Sequence, residues 1–208
     1  WTSFDVVDKI RSLTGERKIG HAGTLDPFAA GILVVGIGRE STKRLSEFTN
    51  AYKVYEATLR LGLATDTLDV EGKITEKKSV PQINESKVLA VFSQFMGTIK
   101  QVPPMYSAKK VNGQKLYELA RKNITIEREA ATVDIKELVL LSLFDHSIKF
   151  RVKCSKGTYI RQLGADIAEK LDTVGHLTDL TRTTVGEYKL EDCVAFPQVE
   201  EQWMSTVI

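Results

Sequence analysis

Two strand-like stretches, residues 132–144 and 147–154, stand side by side in the chain with only Asp145-His146 between them. Residues 53–61 alternate in character. Tyr55, Ala57, Leu59 and Leu61 share one face and Glu56, Thr58 and Arg60 the other, the pattern of a half-buried strand. Residues 32–37 form a short apolar run between glycines and read as a buried strand. Two further short strands are expected at 176–182 and 185–190. Strands therefore come in clusters rather than in strict alternation with helices. This favours an α+β fold with a mixed, largely antiparallel sheet over a doubly wound one.

Helix signals fill the spaces between. Thr2 has the chemistry of an N-cap, with Asp5 three residues on; Phe4, Val7, Ile10 and Leu13 follow at helical spacing, and Gly15 ends the pattern. Asn84 caps an amphipathic helix over 85–95 that stops at Gly97. Residues 41–48 read as a helical turn and 114–121 as a helix. Thr158 is expected to cap a helix running to Leu171, with Ile160, Leu163, Ile167 and Leu171 on its inner face. Residues 18–30 read as a loop, 65–72 as an acidic turn, and Pro103-Pro104 as a break. No repeat or linker divides the chain, so residues 1–208 are expected to form a single domain. The chain opens directly on a helix cap with no initiator Met, which suggests that a preceding strand or loop is missing.

Composition narrows the class. A chain of 208 residues can bury one sizeable core, and its 42% hydrophobic and 27% charged residues are ordinary for a globular protein. No apolar run approaches the roughly 20 residues that span a bilayer, and no secretory signal segment is visible. Cys154 and Cys193 have no metal-ligand spacing, and three histidines give a zinc cluster little support. A cytoplasmic, reduced, metal-free protein is expected. The formal net charge is only +2, yet seven basic residues face two acidic ones between Lys100 and Arg128. Lys149, Arg151, Lys153, Lys156 and Arg161 follow with no acid between them. Such stretches suit a phosphate backbone as well as they suit solvated faces.

The densest chemistry lies in Gly20-His21-Ala22-Gly23-Thr24-Leu25-Asp26-Pro27. Glycines allow close backbone approach to a bulky ligand. Pro27 holds the chain after the carboxylate and restricts Asp26 to extended conformations. A carboxylate on a rigid loop suits a nucleophile or base. The same residues also suit a structured turn capped by Asp26, or a metal pair of His21 and Asp26, although no third ligand is near in sequence.

The string resembles the G-H-x-G-x-L-D-P signature of the tRNA pseudouridine synthase B family, whose members make pseudouridine 55 in the T loop. Other stretches resemble that family in the same order. Lys53-Val54-Tyr55 looks like its K-x-Y strand. Arg60-Leu61-Gly62, Thr65-Asp66-Thr67 and Asp69-Val70-Glu71-Gly72 look like its R-L-G, T-D-T and D-x-x-G segment. Pro103-Pro104-Met105-Tyr106-Ser107-Ala108-Lys109, and then residues 115–121, resemble the next block. Ser155-Lys156-Gly157-Thr158-Tyr159-Ile160-Arg161 resembles S-x-G-T-Y-I-R, and residues 177–182 match L-x-x-L-x-R. The resemblance runs from Thr2 to about Leu190.

The resemblance implies the pseudouridine synthase fold, with helices around the sheet and a central active-site cleft. It makes Asp26 the nucleophile. Tyr55 stacks on the flipped base and is the proposed base for the C5 proton. Arg161 pairs with the catalytic aspartate. His21 helps hold the flipped-out loop, and Tyr159 and Leu180 line the uracil pocket. Lys43, Asp69 and Arg182 also match family positions, Lys43 as a phosphate contact and Asp69 as a structural residue. Isomerising uridine needs no metal and no redox cofactor. The partner implied is the T stem-loop of tRNA, met by a monomer. The family's N-terminal strand with its K-P-x-G motif and its small C-terminal RNA-binding domain are not found in 1–208. The missing C-terminal domain favours the stand-alone enzyme over the catalytic subunit of a guide-RNA-dependent synthase acting on ribosomal RNA, and the presence of Asp26, Tyr55 and Arg161 argues against a third reading, a non-catalytic tRNA-binding chaperone.

Overall fold

The computed structural model describes residues 1–111, 113–195 and 198–206, with backbone only for 204–206. Of the span 1–208 read as one domain, Asn112, Phe196, Pro197, Val207 and Ile208 lie outside the described residues. In chain order the elements are α1 (Ser3–Thr14), β1 (Ile19–Ala22), β2 (Ala30–Gly31), β3 (Val34–Ile37), α2 (Gly38–Asn50), β4 (Lys53–Leu61), β5 (Leu63–Thr65), β6 (Ile74–Lys77) and α3 (Glu85–Ser93). They continue with β7 (Gly97–Gln101), β8 (Lys110–Val111), β9 (Gln114–Lys115), α4 (Leu116–Ala120), β10 (Ala131–Phe144), β11 (Ser147–Cys154), α5 (Ile160–Lys170), β12 (Gly175–Val185), β13 (Tyr188–Lys189), a 3-10 turn (Leu190–Asp192) and α6 (Val199–Thr206). The chain divides into two compact units, Trp1–Val54 with Thr181–Ile208, and Tyr55–Leu180.

In the first unit, α1 starts on the capping box expected of it. Thr2 Oγ1 accepts from the Asp5 N–H at 3.2 Å and Asp5 Oδ2 accepts from the Thr2 N–H at 2.7 Å. Gly15 closes the helix in the left-handed region at φ +69°. Val7 and Ile10 are buried, and α1 packs on β1. β1 pairs antiparallel with β3, placing His21 opposite Val35, and α2 packs against both strands. Here the structure corrects two expectations. The loop at 18–30 contains a strand, and the turn at 41–48 is a helix of 13 residues. Helix α2 buries none of its residues fully, and its apolar face is only Leu45 and Phe48, too short to announce a helix of that length. Its C-terminal end is closed by Lys53, whose ammonium donates to the carbonyls of Phe48, Thr49 and Ala51 at 2.9, 2.7 and 2.8 Å. Thr181 and Arg182 of β12 pair in parallel with Ala30 and Gly31, and Thr184 and Val185 pair antiparallel with β13.

In the second unit the strands run in the order β12-β4-β11-β10-β7. β10 is antiparallel to both β11 and β7. The alternation read over 53–61 holds, with Ala57, Leu59 and Leu61 buried. They join Ile148, Phe150 and Val152 of β11 and Val133 and Ile135 of β10 in one core with Val88, Val91 and Phe92 of α3 and Leu163 and Ile167 of α5. Phe92 meets Phe150 edge-on at 6.0 Å between ring centroids. The β10–β11 turn places Asp145 and His146 at φ +40° and +60°, the two left-handed residues of a primed hairpin turn. No glycine is present there, and Arg60 Nη1 braces the turn by donating to the Asp145 carbonyl at 2.6 Å. The fold is α+β with a largely antiparallel sheet.

Other local expectations shift. Tyr159, not Thr158, is the N-cap of α5, because the Thr158 hydroxyl donates to the Ser155 carbonyl at 2.9 Å instead. The strands expected at 176–182 and 185–190 are the single β12 and the two-residue β13. The helix expected at 114–121 is shorter and starts after β9.

Candidate active site

In the first unit, β1 delivers the Gly-His-Ala-Gly-Thr-Leu-Asp-Pro segment from strand into turn. The strand ends at fully buried Ala22, and Gly23 turns the chain at φ +87°. Beyond it the Leu25 N–H donates to Ser3 Oγ at 2.9 Å, and the Asp26 carbonyl accepts from the Ala29 N–H at 2.9 Å. The main chain therefore pins the turn on both sides of a half-buried Asp26. Arg182 lies beneath it, 1% exposed. Its Nε donates to the Ile32 carbonyl at 2.8 Å and its Nη2 to the Gly23 carbonyl at 3.1 Å. Gly31 sits against the main chain of Arg182 at φ +104°, where an added Cβ would overlap the Arg182 carbonyl.

His21 is half-buried in the same segment. Among the described residues its Nδ1 has no hydrogen-bond partner. Burial first, and the Arg182 charge second, lower its pKa from the ordinary value. Lys43 lies on the exposed side of α2 and pairs with Glu40 at 2.6 Å.

In the second unit, Arg161 stands in the first turn of α5, with its side chain 4% exposed. Nη1 donates to the Thr67 carbonyl at 2.6 Å and Nη2 to the Tyr106 carbonyl at 2.8 Å. Asp69 Oδ2 lies 3.5 Å from Nη1 and is equally buried. Asp69 is itself held, accepting from Thr67 Oγ1 at 2.5 Å and from the Glu71 N–H at 3.0 Å. Leu68, between these residues, takes φ +63°, an outlier for a bulky side chain. The Leu177 N–H donates to its carbonyl at 3.0 Å. The acidic turn read at 65–72 is thus the mount for a buried guanidinium. A buried ion pair of this kind contributes fixed geometry more reliably than net stability.

Tyr55 is half-buried on β4, and Leu180 is buried on β12. Tyr159 is half-buried at the N-cap of α5, with both main-chain polar groups bonded to the Gln101 side chain. His21 and Asp26 thus share one segment with Arg182 beside it, while Arg161 is gathered with Asp69 and Tyr159 with Gln101. Two of these supporting residues carry little signal in the sequence. Arg182 stands out there only as a family position, and Gln101 carries no local signal of its role. Among the described residues no group of three His, Cys, Asp or Glu side chains could hold a metal ion, and no helix is long and apolar enough to cross a membrane.

Comparison with known proteins gives concordant matches. Residues 11–160 match the family described as TruB family pseudouridylate synthase (N terminal domain). A tRNA pseudouridine synthase B of Bacillus cytotoxicus is 44% identical over 214 residues, covering 100% of this chain and 69% of that protein. One from Caldanaerobacter subterraneus is 47% identical over 202 residues, covering 96% of this chain and 70% of its own. One from Lactococcus lactis is 43% identical over 208 residues, covering 96% and 63%. The solved structure of a Cbf5-Nop10-Gar1 complex contains a chain that superposes with a TM-score of 0.76 at 26% identity, covering 100% of this chain and 54% of that one. The chain spans about two thirds of the length of its curated relatives and about half of that solved chain.

Proposed function

The chain belongs to the TruB family of pseudouridylate synthases, and from that premise we propose that it isomerises uridine 55 in the T loop of tRNA, with Asp26 as nucleophile. The observation that carries the reading is the turn at Asp26, a half-buried carboxylate whose main chain is pinned on both sides. Preorganisation of this kind suits a group that must meet a reacting atom without rearranging.

The reaction breaks the N1–C1′ bond, rotates the uracil and joins C5 to C1′. The C5 proton leaves and N1 takes one up, so the product is an isomer of the substrate. A carboxylate can serve by attacking C1′, by attacking C6 or by taking the C2′ proton. All three routes need it ionised, and a nearby positive charge favours that form. The resemblance gives this role to Arg161, whose guanidinium is buried and held by the Thr67 and Tyr106 carbonyls and by Asp69. Tyr55 stacks on the extruded base, and its phenolic oxygen, in its deprotonated form, is the base that takes the C5 proton. Tyr159 and Leu180 line the uracil pocket, His21 holds the displaced loop, and Lys43 meets phosphate. Stacking on an aromatic face contributes about 1–3 kcal/mol per base, enough to offset extrusion from a loop.

Identities of 43–47% to proteins named tRNA pseudouridine synthase B, against 26% to the Cbf5 chain, favour a tRNA substrate over a guide-dependent particle. In this reading the protein works in the cytoplasm as a monomer. The test is tritium release from an unmodified tRNA transcript labelled at uracil C5, beside a transcript with cytidine at position 55. Release from the first alone supports the reaction and its position. Equal release from both refutes the position, and tRNA binding without release from either leaves a binding protein.

A further inference from the structure

We propose that Gln101 is a positioning residue for the reaction, its side-chain amide clamping the main chain of Tyr159 and so aiming the Tyr159 ring. The inference rests on the reading that Tyr159 lines the uracil pocket. Gln101 is 2% exposed. Its Nε2 donates to the Tyr159 carbonyl at 3.1 Å, and its Oε1 accepts from the Tyr159 N–H at 2.8 Å. Tyr159 is extended, at φ −94° and ψ 107°, so its N–H and C=O point along one edge. A primary amide presents an N–H donor beside its oxygen acceptor and matches that edge as a neighbouring strand would.

Two bonds to one residue fix both backbone dihedrals, and with them the Cα–Cβ direction of the ring. The clamp is itself anchored. Gln101 ends β7 opposite Ala131 of β10, and buried Pro103-Pro104 follow one residue later, holding Val102 extended. The start of α5 also lacks the usual support, since Tyr159 makes no side-chain cap bond and the Thr158 hydroxyl is turned to Ser155. The Gln101 amide instead holds the N-cap residue itself, through its N–H and its carbonyl.

A merely structural glutamine would alter stability and leave catalysis alone. Two near-isosteric variants separate the roles. Gln101→Met removes both bonds, while Gln101→Glu keeps the acceptor and sets a carboxylate oxygen against the Tyr159 carbonyl. In single-turnover assays on tRNA, both are expected to slow the chemical step by about 10- to 100-fold, the effect of a displacement of roughly 1 Å, with tRNA affinity within about twofold of the parent. The decisive measurement is a double-mutant cycle with Tyr159→Ala. If Gln101 acts through the ring, Gln101→Met adds nothing to the loss already caused by Tyr159→Ala. In the free protein, the fluorotyrosine resonance of Tyr159 should be single in the parent and broadened or split in Gln101→Met.

Multiplicative effects in the cycle, unchanged chemistry in either folded variant, an unaltered resonance, or failure of both variants to fold would each overturn the proposal. If Tyr159→Ala itself turns over normally, the placement of Tyr159 at the uracil pocket falls instead, and the resonance still decides whether Gln101 orders the ring.

Discussion

Asp26 occupies a turn in which its own main-chain carbonyl accepts from the Ala29 N–H. Replacing Asp26 by Asn keeps that bond and the shape of the side chain while removing the charge. Turnover is expected to fall by a factor on the order of 10³ or more, with tRNA binding retained and the melting midpoint close to the parent's. Unfolding of the variant would instead make the carboxylate a structural cap. His21 leads to a second expectation. Its pKa is lowered in the folded state by burial and by Arg182, whereas in the unfolded chain it titrates near 6.5. As pH falls below about 6.5 the unfolded state takes up the proton first, so stability declines through the window down to the lower folded value. Urea midpoints measured between pH 7.5 and 5.5 should show this decline, and His21→Gln should flatten it.

Among the elements, the pairing of β2 with β12 is the most sensitive. Thr181 and Arg182 pair in parallel with Ala30 and Gly31, and only glycine tolerates both the φ of +104° and the approach of the Arg182 carbonyl at position 31. Gly31→Ala should destabilise the protein by about 2–3 kcal/mol and lower the melting midpoint by about 5–10 °C. Thermal unfolding followed by circular dichroism measures it, and a change within 1 °C or so would mean the strand contact yields easily. The hairpin of β10 and β11 shows a different balance. Asp145 suits a primed turn but His146 stands where glycine is preferred, and Arg60 reaches the Asp145 carbonyl while the Leu61 N–H donates to that of His146 at 2.8 Å. Tertiary bonds here override local turn chemistry.

For the molecule as a whole, a net charge of +2 makes RNA affinity depend on where the cations lie. Binding of the tRNA T stem-loop should weaken linearly in log–log form with salt. Lys43 is exposed on α2 and only surface-paired with Glu40, so Lys43→Ala should reduce the magnitude of that slope by about 1 without changing the chemical step at saturation. Filter binding across potassium chloride concentrations gives the slope, and an unchanged value would remove Lys43 from the phosphate contacts.

Much of this was readable before any fold. The Thr2–Asp5 capping box, the alternation over 53–61 and the inner face of Ile160, Leu163, Ile167 and Leu171 were legible because each is written in residues at most a few positions apart. The Asp26 segment was legible as a string for the same reason. Other features had no local trace. Helix α2 has only Leu45 and Phe48 as large apolar residues and is held by β1, β3 and the Lys53 ammonium, so little in its own period announced its full length. Arg182 reaches Gly23 across 159 positions and Gln101 reaches Tyr159 across 58. Asp69 holds a guanidinium 92 residues further on, as the numbers 69 and 161 give directly. A side chain bonded to a distant main-chain group imposes no periodicity on either segment, because the partner is an amide or carbonyl that every residue carries. Such contacts come into being only when the backbone closes, and they are what holds the candidate site residues in place.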